Sequence, residues 1–582
     1  MKKVVKFISL VLALCIIFAG CSTVKQTETS NKVAVENVYD MEYKLRDKDA
    51  LYTMYEPEDI VTMYLTVSTG NEGERTNHTW SEINTYSVYD YEDMGVERYR
   101  VEGLLQIGDE TGPLPGEVGY GQVSPNCTIQ IRGQTSSKQP VKNYKISLKD
   151  NKGTWMGNTS IPLNKHVNEG LRYRNKMAYD LIANIEQMMG LRTRFVHLYV
   201  KDTTEGGNGR FTDYGIYTYV EQLNKKTLKA HGLDNNGHLY KINEFEFYRY
   251  EDVIKLKEDP DFDEAAFEKL IETKGSDDHS KLIAMLKDVN DFSKPIEDVV
   301  AEHFDMENIC YWMAFHILVG NADTQSRNVY IYSPLNLNRW YFITWDNDGM
   351  LAKAEYDVLK RTTYSEWEKG VSNYWGNVLL QRLLKSEKYR DALDKAIDDL
   401  KKNHLTHKKV GALSKRYASI VKPYVYSNPD ILHLPLTSAQ YDTVVGNVAD
   451  EIDYNYKLYK ESLKKPLPFY IDAPQKKGNN KLIFSCQSSF DFNAEPLTYD
   501  ITLARDMNFN NVILEEKDLT LPVVELDMLP KGQYFLKATV KNKSGLTQTA
   551  FDYYYGDLGK LYGVKCFYVD AKGNIVEDIY ED

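Results

Sequence analysis

The chain has 582 residues with 71 basic against 84 acidic side chains, a net charge of −13 that repels nucleic acid and anionic lipid over most of a folded surface. Hydrophobic residues at 42% and charged residues at 27% exclude long disorder and allow several domains. The 44 Tyr against 20 Phe suit β-rich domains and amphipathic surfaces.

In chain order, Lys2, Lys3 and Lys6 precede an apolar run over residues 7–18. The run has secretory-signal length and falls short of the roughly 20 residues that span a bilayer. The following Phe18-Ala19-Gly20-Cys21 resembles a bacterial lipoprotein cleavage box, with Phe18 where Leu is usual. It implies a signal peptide over residues 1–21 and lipidation of Cys21 as the mature N-terminus. The expected address is outside the cell, on the outer face of the membrane, with the lipid as the sole attachment. Plain secretion, with Cys15 and Cys21 as ordinary apolar residues, is the alternative. Residues 22–45 are polar and read as a tether. Cys127, Cys310, Cys486 and Cys566 are far apart, without metal-ligand spacing, and read as buried small hydrophobes.

Short alternating runs over residues 59–148 predict a strand-rich lobe reaching to about residue 160. Met177, Leu181, Ile182, Ile185, Met188 and Met189 recur at helical spacing before Gly190, predicting a helix within residues 171–189. Runs at 195–200 and 214–220 flank a Gly-rich turn and predict a hairpin. Helical patterns dominate residues 262–464, interrupted at 328–346 by a second hairpin. Pro466-Leu467-Pro468 predicts a stiff linker into alternating strands with the spacing of an immunoglobulin or fibronectin III β-sandwich over residues 466–560, followed by a tail over 561–582. The fold class is therefore α+β.

The interrupted helical region concentrates polar residues in an apolar frame. Gly320 to Asn328 carries Asp323 and Asn328 five residues apart, and the next hairpin ends in Trp345-Asp346-Asn347-Asp348-Gly349. Protein kinases use such an arrangement: one carboxylate orients and deprotonates the acceptor hydroxyl, while an amide oxygen and a second carboxylate hold Mg²⁺ against the ATP phosphates. In the segment from Ile131 to Leu148, Arg132-Gly133-Gln134-Thr135-Ser136 leads through a Ser/Thr loop to Lys142, a strand–loop–strand unit able to cradle phosphate.

Together these segments resemble the CotH kinase family, whose sequences run Arg-Gly-Asn-Ser-Ser, Pro-Lys-Lys and Tyr, Gly-Asn-x-Asp, then Trp-Asp-x-Asp. The resemblance covers roughly residues 60–400 and includes residues 171–180 and 214–222 in the expected order. It implies a two-lobed atypical kinase domain over residues 46–465. By the same resemblance Asp323 is the catalytic carboxylate, Asn328, Asp346 and Asp348 bind metal, Arg132 and Lys142 serve the nucleotide, and Glu221 braces the lysine or lines the nucleotide site, with a hairpin-end carboxylate of no role as the alternative. The cofactors implied are ATP with Mg²⁺ or Mn²⁺. The partner implied is a protein of the cell surface or spore coat phosphorylated on Ser or Thr; nucleic acid is not a partner. Gln134-Thr135 replaces Asn-Ser, Val141 replaces the first Lys, and Gly349-Met350 departs from Gly-Thr or Ser-Phe. Val141 leaves Lys142 as the aligned cation, with Lys145 as a substitute.

Rival readings use the same aspartates. Asp346-Asn347-Asp348-Gly349-Met350 is similar to the Asp-x-Asp-Gly-Thr of haloacid-dehalogenase phosphatases, which need alternating βα units around it. Residues 344–355 have EF-hand-like positions, but with Thr first and a strand ahead of them. A surface lipoprotein that binds carbohydrate or protein without catalysis is the alternative outside enzymology.

Overall fold

The computed structural model describes residues 45, 47–53, 56, 58–361, 365, 367–478, 480–556 and 559–577. The signal, the lipidation site Cys21 and the tether lie outside the described residues. Among those described, no helix is long and apolar enough to cross a membrane.

The N-terminal strands are β1 (Ile60–Ser68), β2 (Val101–Asp109), β3 (Gly112–Pro113), β4 (Cys127–Arg132), β5 (Asn143–Leu148), β6 (Ser160–Asn164), β7 (Thr193–Asp202) and β8 (Phe211–Val220). They pair in the order β1-β7-β8-β6-β5-β4-β2-β3, and β1 also pairs with β2, so seven of them close on themselves. The β1–β7 pairing is parallel, Ile60 opposite Phe195. Alternation along each strand sends one set of side chains inward. Met63, Leu65, Leu105, Ile129, Ile131, Tyr144, Ile146, Leu163, Leu198 and Tyr217 form this core. Sheet closure thus extends the strand-rich lobe to Val220, beyond the expected limit near 160, because the predicted hairpin of β7 and β8 supplies the closing strands.

Two short helices, Trp80–Thr85 and Val88–Met94, interrupt the early strands, each opened by a capping box, Thr79 with Glu82 and Ser87 with Asp90. The helix expected within 171–189 is confined to Arg174–Ile182. Beyond it the chain turns with i to i+3 bonds, Ile185 N to Ile182 O and Met188 N to Ile185 O, which bury the remaining apolar side chains without helix.

A second sheet combines β9 (His238–Ile242), β10 (Ile271–Thr273), β11 (Val329–Ser333) and β12 (Tyr341–Thr344) in the order β10-β9-β11-β12. β11 and β12 are the predicted second hairpin, with Val329 opposite Thr344. Helices surround it, including Met306–Val319, which is buried nearly all round, and the amphipathic Val378–Lys385. Asp430 joins the barrel to the helical part: it pairs with Lys165 at 2.6 Å, both side chains 2% exposed, and accepts the Ile216 N–H. Gly215 makes this approach possible, since its φ is +73° and a Cβ there would lie 2.0 Å from the Asp430 carboxylate.

The C-terminal strands are β13 (Gln475–Lys477), β14 (Lys481–Ser485), β15 (Leu497–Ala504), β16 (Val512–Leu519), β17 (Val523–Asp527), β18 (Gly532–Asn542), β19 (Thr547–Thr549), β20 (Tyr553–Gly556), β21 (Gly559–Tyr562), β22 (Val564–Val569) and β23 (Ile575–Glu577). A three-stranded sheet, β13-β14-β17, and a larger one, β16-β15-β18-β22-β23, share a core of Leu482, Phe484, Ile501, Leu503, Leu536, Val540 and Phe567. Residues expected as a tail therefore belong to this sheet, with Cys566 opposite Phe535. The segment expected as a linker is packed: Leu467 is fully buried and its N–H bonds Phe490 O at 2.8 Å. Cys127, Cys310, Cys486 and Cys566 are buried and form no disulfide among the described residues.

Candidate active site

The apolar helix Met306–Val319 ends at Gly320, whose φ of +66° puts it in the left-handed region and whose N–H returns to the carbonyls of His316 and Ile317. This stop throws residues 321–328 into a loop. Asn321, 2% exposed, reaches 3.4 Å to the Asp346 carbonyl and to Asn347 Oδ1. Asn373 and Asn377 donate to the carbonyls of Ala322 and Gln325, both at 2.9 Å, and Tyr374 meets Thr324 at 3.1 Å. The loop is braced from behind, leaving Asp323 forward with its side chain 64% exposed.

Asn328 donates its amide to the Asp323 carboxylate at 2.8 Å, and Arg327 stands 3.6 Å from the other oxygen. The β11–β12 register continues one step past the strands, where Trp345 N–H bonds Asn328 O at 3.1 Å. Asn328 and Asp346 therefore lie at one end of one hairpin. Both have left-handed backbone, φ 57° and 54°, a conformation that Asn and Asp tolerate and that recurs at functional sites.

A buried amide and hydroxyl network sets the Asp346 turn. Asn347, fully buried, gives its N–H to Asn175 Oδ1 at 3.1 Å and accepts from Thr344 Oγ1 at 3.2 Å. Thr344 in turn meets His316 Nε2 at 2.8 Å, and burial pushes that imidazole down to about 3, so it stays neutral. Asp348 faces His166 Nδ1 at 3.4 Å. Glu355 is 1% exposed and held by Arg174 at 2.7 Å and by the Gly170 N–H, so no EF-hand-like loop forms over 344–355. A strand hairpin, not βα units, carries Asp346, which removes the dehalogenase reading.

The charges here are not balanced among themselves. Burial, followed by the repulsion of Asp348, raises the Asp346 carboxyl, with His166 and Arg132 opposing and Asp323 reinforcing the rise. Burial and Asp348 also raise Asp323, against Arg327 and Asn328. Since that side chain is largely exposed, its desolvation is that of a cleft floor still open to water. For Asp348, burial is outweighed by the His166 hydrogen bond, and its carboxyl falls below the usual range. Three carboxylates that feel one another, plus a side-chain amide, offer the oxygen donors that a hard divalent cation takes, although the carboxylate oxygens do not all lie within 4.8 Å of one another.

Facing Asp346 from the barrel is Arg132, bonded to Asn164 and sensing Asp346 as its largest charge interaction after burial. Strand alternation decides what joins it. Gln130, Arg132, Asn143 and Lys145 share the outer face, Gln130 opposite Lys145 and Arg132 opposite Asn143. Lys145 is lowered first by burial and then by Lys274, Arg132, Arg100 and Arg98, and it forms no ion pair or hydrogen bond among the described residues.

Lys142 has the other parity. It is 5% exposed, donates to the Ser137 carbonyl at 2.6 Å, and interacts with Asp90 rather than with Asp346. The structure therefore separates Lys142 from the aspartates and sets Lys145 beside Arg132. Glu221 is also separate. Fully buried, it is gripped by Arg192 Nε at 3.0 Å, His231 Nε2 at 3.0 Å and Asn158 at 3.1 Å, with no oxygen turned to a nucleotide. Arg132, Asp323, Asn328, Asp346 and Asp348 are the expected residues that come together. His166, Asn175 and Asn347 are the additions.

The profile of the family described as CotH kinase protein matches residues 129–459, more than half of the chain. The chain belongs to the CotH kinase family. The match encloses Arg132, Lys145, His166, Asn175, Asp323, Asn328, Asp346, Asn347 and Asp348. A CotH-family relative, inner spore coat protein H of Bacillus subtilis (strain 168), is 21% identical over 322 residues, 54% of this chain and 82% of the relative. Among solved structures, the complex of HipA, HipB and operator DNA from the Shewanella oneidensis MR-1 toxin–antitoxin system matches with a TM-score of 0.21 at 10% identity. That match covers 55% of this chain and 58% of that one. Surface layer protein SbsC, domains 1–6, matches with a TM-score of 0.10 at 8% identity, over 50% of this chain and 38% of that one. Superpositions this loose carry no weight for the CotH site.

Proposed function

We propose that the protein is an ATP- and divalent-metal-dependent atypical protein kinase that transfers the γ-phosphoryl group to Ser or Thr hydroxyls of surface or coat proteins. The observation that carries this is the opposition of two charge sets: Asp346, Asp348 and Asp323 on one side, and Arg132 with Lys145 beside it on the other. A metal–triphosphate satisfies both at once.

Asp346, Asp348 and the Asn328 amide oxygen would hold the metal, which when bound neutralises phosphate charge during transfer. Lys145 and Arg132 would take the phosphates as cations already desolvated, which strengthens their pull. Asp323, open to the cleft, would accept the proton of the acceptor hydroxyl, its orientation fixed by Asn328. His166 would hold Asp348 ionised, and Asn175 would fix the backbone between the two metal-side aspartates.

The relative's name places it in a spore coat, and coat or cell-surface proteins are accordingly the acceptor class, with export through the Cys21 lipoprotein signal as the matching address. Incubation of the soluble part with labelled ATP, Mg²⁺ or Mn²⁺ and a protein acceptor tests the reading. Label should enter Ser or Thr in the wild type and not in Asp323→Ala. Equal incorporation by both proteins would overturn it.

A further inference from the structure

A second concave site lies where the helical part meets the C-terminal sheets. It is a groove of about 420 Å³. Tyr248, Trp375, Tyr470 and Phe490 are among its lining residues, with the Trp375 and Phe490 rings packed at 5.4 Å, and Gln381, Lys385, Gln487 and Ser488 supply polar groups. Three of the four rings are substantially open: Tyr248 and Tyr470 at 44% and Phe490 at 36%. Soluble proteins rarely leave so many large rings facing one hollow without a ligand. We infer that this groove binds a saccharide.

Three observations select that class. First, among the described residues Lys385 is the one charged side chain lining the groove, and it lies over Trp375 and Phe490, so the other polar groups of the lining are uncharged. Second, the Gln487 amide and the Ser488 hydroxyl make no hydrogen bond among the described residues, while Gln381 is tied to Trp375 O at 3.0 Å. Exposed amide and hydroxyl groups beside the partly open rings of Tyr248, Tyr470 and Phe490 match a ring with alternating hydroxyl edges and C–H faces. Third, a peptide would bind most simply by adding a strand, and the main chain here offers no edge. Gln487 N–H bonds Tyr470 O at 2.9 Å, Leu467 N–H bonds Phe490 O at 2.8 Å, and Phe551 N–H bonds Phe469 O at 2.8 Å.

The groove adjoins the catalytic loop. A Cβ placed on Gly376 would lie 3.4 Å from Tyr470 Oη, 3.7 Å from Phe551 and 3.8 Å from Gln325 Oε1, all ordinary contacts. A side chain is therefore tolerated at this position and would project among these groups. Gln325 is two residues from Asp323, so a glycan held here is held beside the phosphotransfer site, although its binding does not depend on that chemistry.

Isothermal titration of the purified full chain with cellohexaose, chitohexaose, xylohexaose and mannohexaose tests the inference. At least one should bind with one site per chain. Gln487→Ala, on an exposed position, and Tyr470→Ala should each weaken it about tenfold or more, and Gly376→Met should remove it. Asp346→Ala should retain it, so a failed kinase reading leaves this result standing. No binding by any of the four sugars overturns the inference, as does binding that all three groove variants keep. Binding of a random peptide pool, abolished by the same variants, would also overturn it in favour of a protein ligand.

Discussion

The Asn328 amide donates to the Asp323 carboxylate at 2.8 Å, which aims Asp323 and leaves the side-chain oxygen Oδ1 of Asn328 without a donor among the described residues. One side chain thus orients Asp323 with its nitrogen and leaves its own oxygen open. The five-residue spacing matters because the intervening turn brings both ends of the loop together, while Asn373 and Asn377 hold its carbonyls from behind.

Removal of Asp346 should separate from removal of Asp323. Asp346→Ala deletes a charged ligand, and metal-dependent nucleotide binding and turnover should fall together. Asp323→Ala should leave nucleotide binding in place and lower turnover by roughly 10²–10⁴-fold, the contribution of positioned proton transfer. Nucleotide titration at fixed Mg²⁺ beside single-turnover rates distinguishes them, and the reversed pattern would exchange the two roles.

Lys145→Met should raise the ATP concentration needed for half-maximal rate at least about tenfold, the loss of a charge-assisted phosphate contact. Lys142→Met should leave that concentration unchanged and lower thermal stability, since its ammonium serves the Ser137 carbonyl. Steady-state kinetics on both variants decides which lysine faces the nucleotide.

Gly215→Ala should destabilise by at least about 2 kcal/mol, because the left-handed backbone and the Asp430 carboxylate at 2.0 Å from the new Cβ act together. Urea unfolding should show the loss, and Asp430→Asn in the same background should recover little of it, as Lys165 would then be buried without its counter-ion.

The Glu221–His231 pair predicts a pH signature. Burial alone would raise Glu221, but His231 and Arg192 outweigh it and bring the carboxyl down to about 2. Burial alone would lower His231, but Asp47 and Glu221 outweigh it and bring the imidazole up to about 9. The Glu221 contribution is present above its ordinary value of 4.5 and is lost as pH falls through about 2. The His231 contribution is present below 6.5 and is lost as pH rises through about 9. Wild type should exceed His231→Gln by about 3 kcal/mol at pH 6, a gap that closes above pH 9. A gap constant from pH 6 to 10 would mean that His231 is neutral in the fold.

Much of this was legible in the sequence. Asp323, Asn328, Asp346 and Asp348 sit on one loop and one hairpin, so local spacing was enough to group them, and the β11–β12 strands were visible as apolar runs. Lys142 was misplaced because ordered-motif alignment ignores strand parity: a shift of odd length along β5 moves a side chain from the outer face to the barrel side. Glu221 was legible as a strand-end carboxylate, but its partners Arg192 and His231 are ordered by folding, not by proximity along the chain. His166, a lone histidine past β6, carried no pattern. Asn175 lay inside a recognised segment, yet its task depends on a contact 172 positions away. The two capping boxes were readable signals for the early helices that alternation hid.

The parallel β1–β7 ladder also dictates an order of events during synthesis. The strand Ile60–Ser68 cannot find its parallel neighbour until Thr193–Asp202 has been made, and the sheet cannot shut until Val220 follows. Until then a long nascent stretch must remain unclosed with apolar strand faces exposed, the circumstance in which non-local pairing is slow and aggregation competes. A fragment cut near residue 160 would lack those strands, and any version of this domain made alone must run past Val220 to be soluble.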